Sequence, residues 1–192
     1  MDGERGRLRV ILALLRYTRG RRLGAICALR ADDVLLTADQ IRATLAASGM
    51  DERLAAHMPH GAIRWSEQSD KMGLLFVSPL SEPARAALGT CLRQSPRLGS
   101  VPLLPAPKCA SVPIDSKLVG KCIRRAERRA GLPKLRGSTA HAYRRLWASE
   151  RKNLPDVDVA AAGGWKDTRS LKTSDQQADP ASVLNAVLHG SG

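Results

Sequence analysis

Apolar residues recur at helical spacing from the start of the chain. Leu8, Ile11, Leu12 and Leu15 fall on one face of a helix. Thr18-Arg19-Gly20 interrupts it, and Leu23, Ile26 and Cys27 carry a second apolar face to about Leu29. The preceding stretch, Met1 to Gly6, is polar and is expected to be frayed. Thr37-Ala38-Asp39-Gln40 has the form of a capping box, in which a hydroxyl and an amide side chain each satisfy a free backbone N–H. It predicts a helix through Ala47, closed by Gly49.

The pattern then changes. Ala62 to Ser66 and Leu74 to Leu80 are rich in Ile, Trp, Phe and Val and predict two short strands. The polar Glu67 to Gly73 between them makes a hairpin. Ser81 caps a helix to about Arg93. Pro96, Pro102, Pro105, Pro107 and Pro113 exclude regular helix from residues 95–113, which read as a long surface loop; the alternative is a linker between two small domains. Four further helices are predicted. One is the basic Ser116 to Ala130, ended by Gly131, and the next is Thr139 to Arg151. An Ala-rich helix runs from Pro155-Asp156 to Gly163-Gly164, and a last one follows Asp179-Pro180 to about Leu188. The expected fold class is α+β and mostly helical: one domain over residues 1–192 with a small antiparallel β-hairpin sheet.

Composition adds a partner class. Of 192 residues, 43% are hydrophobic, enough for a core. Lys and Arg number 31 against 18 acidic residues, a net charge of +13, which favours an anionic partner such as nucleic acid. Aromatic residues make up only 3%, which argues against a base-stacking platform for RNA. Cys27, Cys91, Cys109 and Cys122 show no C-x2-C spacing, so no zinc site and no other metal or cofactor is expected. No stretch approaches the roughly 18 apolar residues of a membrane span, and no secretory leader is evident, so a cytoplasmic location is expected.

His141 and Arg144 lie three apart on a predicted helix and share a face. A guanidinium can stabilise the extra negative charge of a pentacoordinate phosphorane without a metal, and an imidazole can exchange a proton with the attacking or leaving oxygen. On its own, H-x-x-R is common in surface helices. Its neighbours give it context. Gly20-Arg21-Arg22-Leu23-Gly24-Ala25-Ile26-Cys27-Ala28-Leu29-Arg30 resembles the first arginine box of the tyrosine recombinases, the phage-integrase family. Ser69-Asp70-Lys71-Met72-Gly73 resembles that family's β-hairpin lysine. His141-Ala142-Tyr143-Arg144 matches its H-x-x-R, and Gly163-Gly164-Trp165 its His-or-Trp box.

The resemblance spans residues 8 to 190 and implies the family's catalytic-domain fold. It assigns Arg22, with Arg21 as the adjacent alternative, to the first catalytic arginine. It assigns Lys71 to protonation of the departing 5′ oxygen, Arg144 to the second phosphate clamp and His141 to acid/base or phosphate-donor work. Trp165 becomes a phosphate donor, a role compatible with a place in the core. It implies double-stranded DNA as partner, with no cofactor and no metal. A C-terminal helix, 179–189, carries Val183, Leu184, Val187 and Leu188. It suits either its own core or a neighbouring protomer in a homo-oligomer, a tetramer on DNA in the family.

Four departures qualify the match. Asp175 in Lys172-Thr173-Ser174-Asp175 stands where the family has its nucleophilic tyrosine. An aspartyl phosphate is a labile acyl phosphate, ill suited to store a strand-exchange intermediate. The Trp165 to Asp175 interval is one longer than is usual in the family, and Ala25 stands where many members carry an acid. The N-terminal core-binding domain is expected to be absent. The leading expectation is a recombinase catalytic domain, of prophage or mobile-element type, that grips DNA but is deficient in cleavage. A non-enzymatic DNA-binding or site-blocking module is the alternative. A metal-free hydrolytic nuclease, with Asp175 orienting water, is a third.

Overall fold

The computed structural model describes residues 2–18, 22–66, 76–133 and 139–174. Helix α1 (Asp2–Tyr17) is the axis of the molecule. Of the expected face, Ile11 and Leu15 are buried and Leu8 and Leu12 partly so; Val10 and Leu14, one residue before Ile11 and Leu15, complete the buried stripe. Each such side chain removed from water contributes about 1.5–3 kcal/mol before entropy is charged against it. The helix begins at Asp2, so the stretch expected to be frayed is helical. The start of α1 lies against the end of α4 (Glu82–Gln94): a Cβ at Gly6 would sit 3.2 Å from Gln94 Oε1. That tertiary contact overrides the polar local sequence.

Helix α2 (Leu23–Cys27) buries Ala25, Ile26 and Cys27 against the same core. A 3₁₀ turn, Ala31–Asp33, leads into β1 (Val34–Leu35). Helix α3 (Ala38–Ala47) starts with the predicted capping box: Gln40 N–H donates to Thr37 Oγ1, and Thr37 N–H to Gln40 Oε1. Strands β2 (Ala62–Trp65) and β3 (Phe76–Pro79) pair antiparallel, Trp65 opposite Phe76 and Ala62 opposite Pro79. The order is β1-β2-β3, so the expected hairpin gains a third, two-residue strand. Trp65, fully buried, satisfies its indole N–H on Ser78 Oγ at 2.7 Å. At the entry to β2, Gly61 has φ 94°, and a Cβ there would sit 2.6 Å from the Leu35 carbonyl, so only glycine lets β1 and β2 meet.

Residues 95–113 differ from the expected surface loop. They contain no helix, but β4 (Pro105–Ala106) and β5 (Cys109–Pro113) form a two-stranded ribbon. Leu103 and Leu104 are buried in the main core. Leu103 N–H donates to Leu29 O and Ile114 N–H to Leu104 O, both at 2.8 Å, which ties the segment to the chain after α2. Prolines at strand ends cost no ladder donor. The segment therefore joins the halves of one body.

Helix α5 (Ser116–Arg129) presents Val119 and Ile123 to the core and a basic face to solvent. Helices α6 (Thr139–Ser149), α7 (Asp156–Gly163) and α8 (Thr168–Ser174) share a smaller core of Trp147, Ala148, Val159, Ala160 and Leu171. Helix α6 packs on α1 and α5, and α2 rests on the same two helices. Among the described residues, no helix is long and apolar enough to cross a membrane. The hairpin tip with Lys71, Asp175 and the expected C-terminal helix lie outside the described residues.

Candidate functional site

Arg144 is buried in spite of its charge. Two of its contacts offset part of the cost. Its Nη1 donates to the Gly163 carbonyl at 2.9 Å, and its guanidinium carbon lies 3.6 Å from the centre of the Trp165 ring. A desolvated cation–π contact of this kind contributes about 2 kcal/mol. The H-x-x-R segment and the Gly-Gly-Trp segment are thus one structural unit.

Glycine makes the junction. Helix α7 ends in a left-handed cap at Gly164, φ 68°, and the chain returns with Trp165 N–H donating to Ala160 O at 2.9 Å. This turn lays the Trp165 ring back over Gly163. A Cβ at 163 would stand 1.6 Å from a ring carbon, so no other residue fits beneath it. The same return exposes the Gly163 carbonyl, left without a helical donor, to Arg144.

Trp165 stacks in turn on Trp147, with ring centroids 6.0 Å apart and planes 24° from parallel. Arg151 lies over the Trp147 ring, 4.3 Å from its centre, and donates to Trp147 O at 3.0 Å. Burial lowers the pKa of Arg151, while Glu150 opposes that shift. The result is a column of Arg144, Trp165, Trp147 and Arg151. Three of its members fall at i, i+3 and i+7 on or just beyond α6. Sequence reasoning missed Trp147 and Arg151, although that spacing was a signal for a shared helix face. Among the described residues, the buried Trp147 indole N–H has no hydrogen-bond partner.

Around the column, α6 and α8 are fixed by charge. Glu150 forms a two-pronged ion pair with Arg16 of α1, one arm Arg16 Nη2 to Oε1 at 2.6 Å. Asp167 caps α8 by accepting from Ser170 N–H at 2.6 Å, and that hydrogen bond holds its carboxyl below the usual range. Lys172 Nζ pairs with Asp156 Oδ2 at 2.6 Å, joining α8 to the start of α7. Through α8 the column is linked to the residue just before Asp175.

The remaining sequence-predicted residues are distributed around this unit. His141 is exposed in the first turn of α6, one turn before Arg144. Arg22 is exposed at the head of α2, in extended conformation with φ −67° and ψ 145°. The helices bearing Arg22 and Arg144 share α1 and α5 as supports. Tyr143 turns the other way: half-buried on the main core, its hydroxyl faces Glu127 Oε1 at 3.5 Å. Burial first, and Glu127 second, raise its pKa. Tyr17 is exposed beside the Arg16 guanidinium.

A crystal structure of XerA recombinase superposes with a TM-score of 0.66 at 20% sequence identity, covering 98% of this chain and 62% of that chain. This chain has the tyrosine recombinase fold. It spans 62% of the length of the XerA chain. No family model matches the sequence, and no curated protein matches it. The mostly helical body and the small antiparallel sheet are consistent with the tyrosine recombinase fold.

Proposed function

We propose that this chain is a DNA-binding domain of the site-specific tyrosine recombinase type, built to grip a phosphodiester and deficient in cleaving it. The observation that carries the reading is the Arg144–Gly163–Trp165 unit, in which the H-x-x-R and Gly-Gly-Trp boxes meet on a tyrosine recombinase fold. A guanidinium held over a ring and hydrogen-bonded to a carbonyl is preorganised, so little entropy is lost when it meets an anion. Arg22 and Arg144 clamp the phosphate in this reading. His141 exchanges a proton or donates to a phosphate oxygen, Lys71 protonates the departing 5′ oxygen and Trp165 contributes its N–H. Double-stranded DNA is the partner, and no metal or cofactor takes part.

The nucleophile is what this chain lacks. Asp175 is anionic and short where a phenol is needed. Neither tyrosine substitutes for it: Tyr143 faces Glu127 and its raised pKa disfavours the phenolate, and Tyr17 precedes the first arginine box. The Asp175 carboxylate instead opposes phosphate binding.

Binding to duplex DNA, followed by fluorescence anisotropy across salt concentrations, tests the grip. Arg144→Ala reduces the salt slope by about 1, the loss of one phosphate contact. Asp175→Asn tightens binding. Unchanged binding in both variants would remove the phosphate site and leave a duplex binder that uses another face.

A further inference from the structure

A groove of about 620 Å³ is lined by residues of α1 and α5, with Pro107 from the turn between β4 and β5. None of Arg22, His141, Arg144 or Trp165 lines it. Its floor is apolar: Leu8 and Ile11 of α1, Ile114, and Leu118 and Val119 of α5. Leu118 stays substantially solvent-exposed, a large apolar side chain left uncovered on a basic surface. The rim is cationic, formed by Arg7, Lys121, Arg124, Arg125 and Arg128, and among the described residues no acidic side chain lines the groove.

We propose that this groove docks an acidic amphipathic helix of a protein partner. Each half of the occupant's chemistry is set by the lining. The wall from Leu118 to Arg128 runs ten residues along α5, about 15 Å at the α-helical rise, or about three turns of a docked helix. Leucine-type side chains at one helical face fill the floor, the recognition mode in which an apolar stripe enters a groove. Glutamates or aspartates flanking that stripe meet the rim cations Arg7, Lys121, Arg124 and Arg128. Nucleic acid would answer the rim but leave the floor exposed, since phosphate contacts need cations and no apolar base beneath them. An interface with an apolar centre and a charged surround is the protein-binding pattern.

The probe is a synthetic peptide of about 12 residues held helical by a side-chain staple, leucines at i, i+4 and i+7 and glutamates elsewhere. Its binding to the full chain is read by fluorescence anisotropy. Two controls accompany it: a peptide with the leucines replaced by serine, and a duplex oligonucleotide. The leucine–glutamate peptide should bind, and Leu118→Asp and Arg124→Glu should each weaken it at least tenfold. Both sites are solvent-exposed, and circular dichroism melts check that the variants fold. The serine control should bind at least tenfold more weakly. Equal binding of both peptides would overturn the proposal, because the floor would then contribute nothing. So would absence of peptide binding, or loss of duplex binding by Leu118→Asp in parallel with the peptide, which would make the groove a nucleic-acid surface.

Discussion

Gly163 is the residue on which the Arg144 geometry depends most directly. Gly163→Ala sets a methyl group inside the Trp165 ring, so the ring must leave its stack. The expected cost is about 1–3 kcal/mol, seen as a lowered melting temperature together with a changed tryptophan emission. Trp147 makes the opposite case. Among the described residues its buried indole N–H is unsatisfied, a state that costs about 1–3 kcal/mol. Trp147→Phe removes that donor but also thins the contacts with Trp165 and Arg151, so a thermal melt should show a smaller loss than Trp147→Ala, for which about 3–5 kcal/mol is expected. The cysteines differ by burial. Burial pushes the Cys27 thiol up to about 12, whereas a hydrogen bond from Ser111 lowers that of exposed Cys109. Thiolate is the reactive form. Iodoacetamide at pH 8 should therefore label Cys109 first and leave Cys27 unmodified until the protein unfolds, as peptide mapping will show.

At the scale of elements, α6 is the joint between the recombinase-type boxes and the body. It rests on α1 and α5, and the Arg16–Glu150 pair clamps its end. Both partners are about a third exposed, so Glu150→Gln should cost only about 0.5–1 kcal/mol. The small α6–α8 core should open more readily than the body around α1, and hydrogen exchange should find α7 and α8 exchanging before α1. Most of these elements could be read from the chain. Helices α1 to α7 each carry an apolar period, a cap or a glycine stop, and β2 and β3 carry their strand composition. Those that could not be read depend on distant partners. Strand β1 is two residues long and exists because Val34 and Leu35 pair with Ile63 and Ala62. The β4–β5 ribbon is hidden by its prolines, and α8 is a short polar turn that buries Leu171 alone among its central residues. The sequence placed Arg144 and Trp165 in separate boxes. It did not show that Trp147 and Arg151 extend them into a column, because a stack across α6 and the α7 turn is a tertiary fact.

For the whole molecule, a charge of +13 on a tyrosine recombinase fold predicts duplex binding that weakens steeply with salt. The slope of log affinity against log salt should give the number of phosphates neutralised, and Arg22→Ala, like Arg144→Ala, should lower it by about 1. The central claim is that the phosphate-gripping apparatus remains and the nucleophile does not. The most direct test incubates a nicked suicide duplex, drawn from the DNA flanking the gene, with this protein and with its Asp175→Tyr variant. A denaturing gel then detects covalent protein–DNA adducts. The account predicts no adduct from the protein itself and an adduct from Asp175→Tyr. An adduct from the unaltered protein would contradict it outright, and no adduct from Asp175→Tyr on a duplex it demonstrably binds would show that the rest of the cleavage apparatus is not in place.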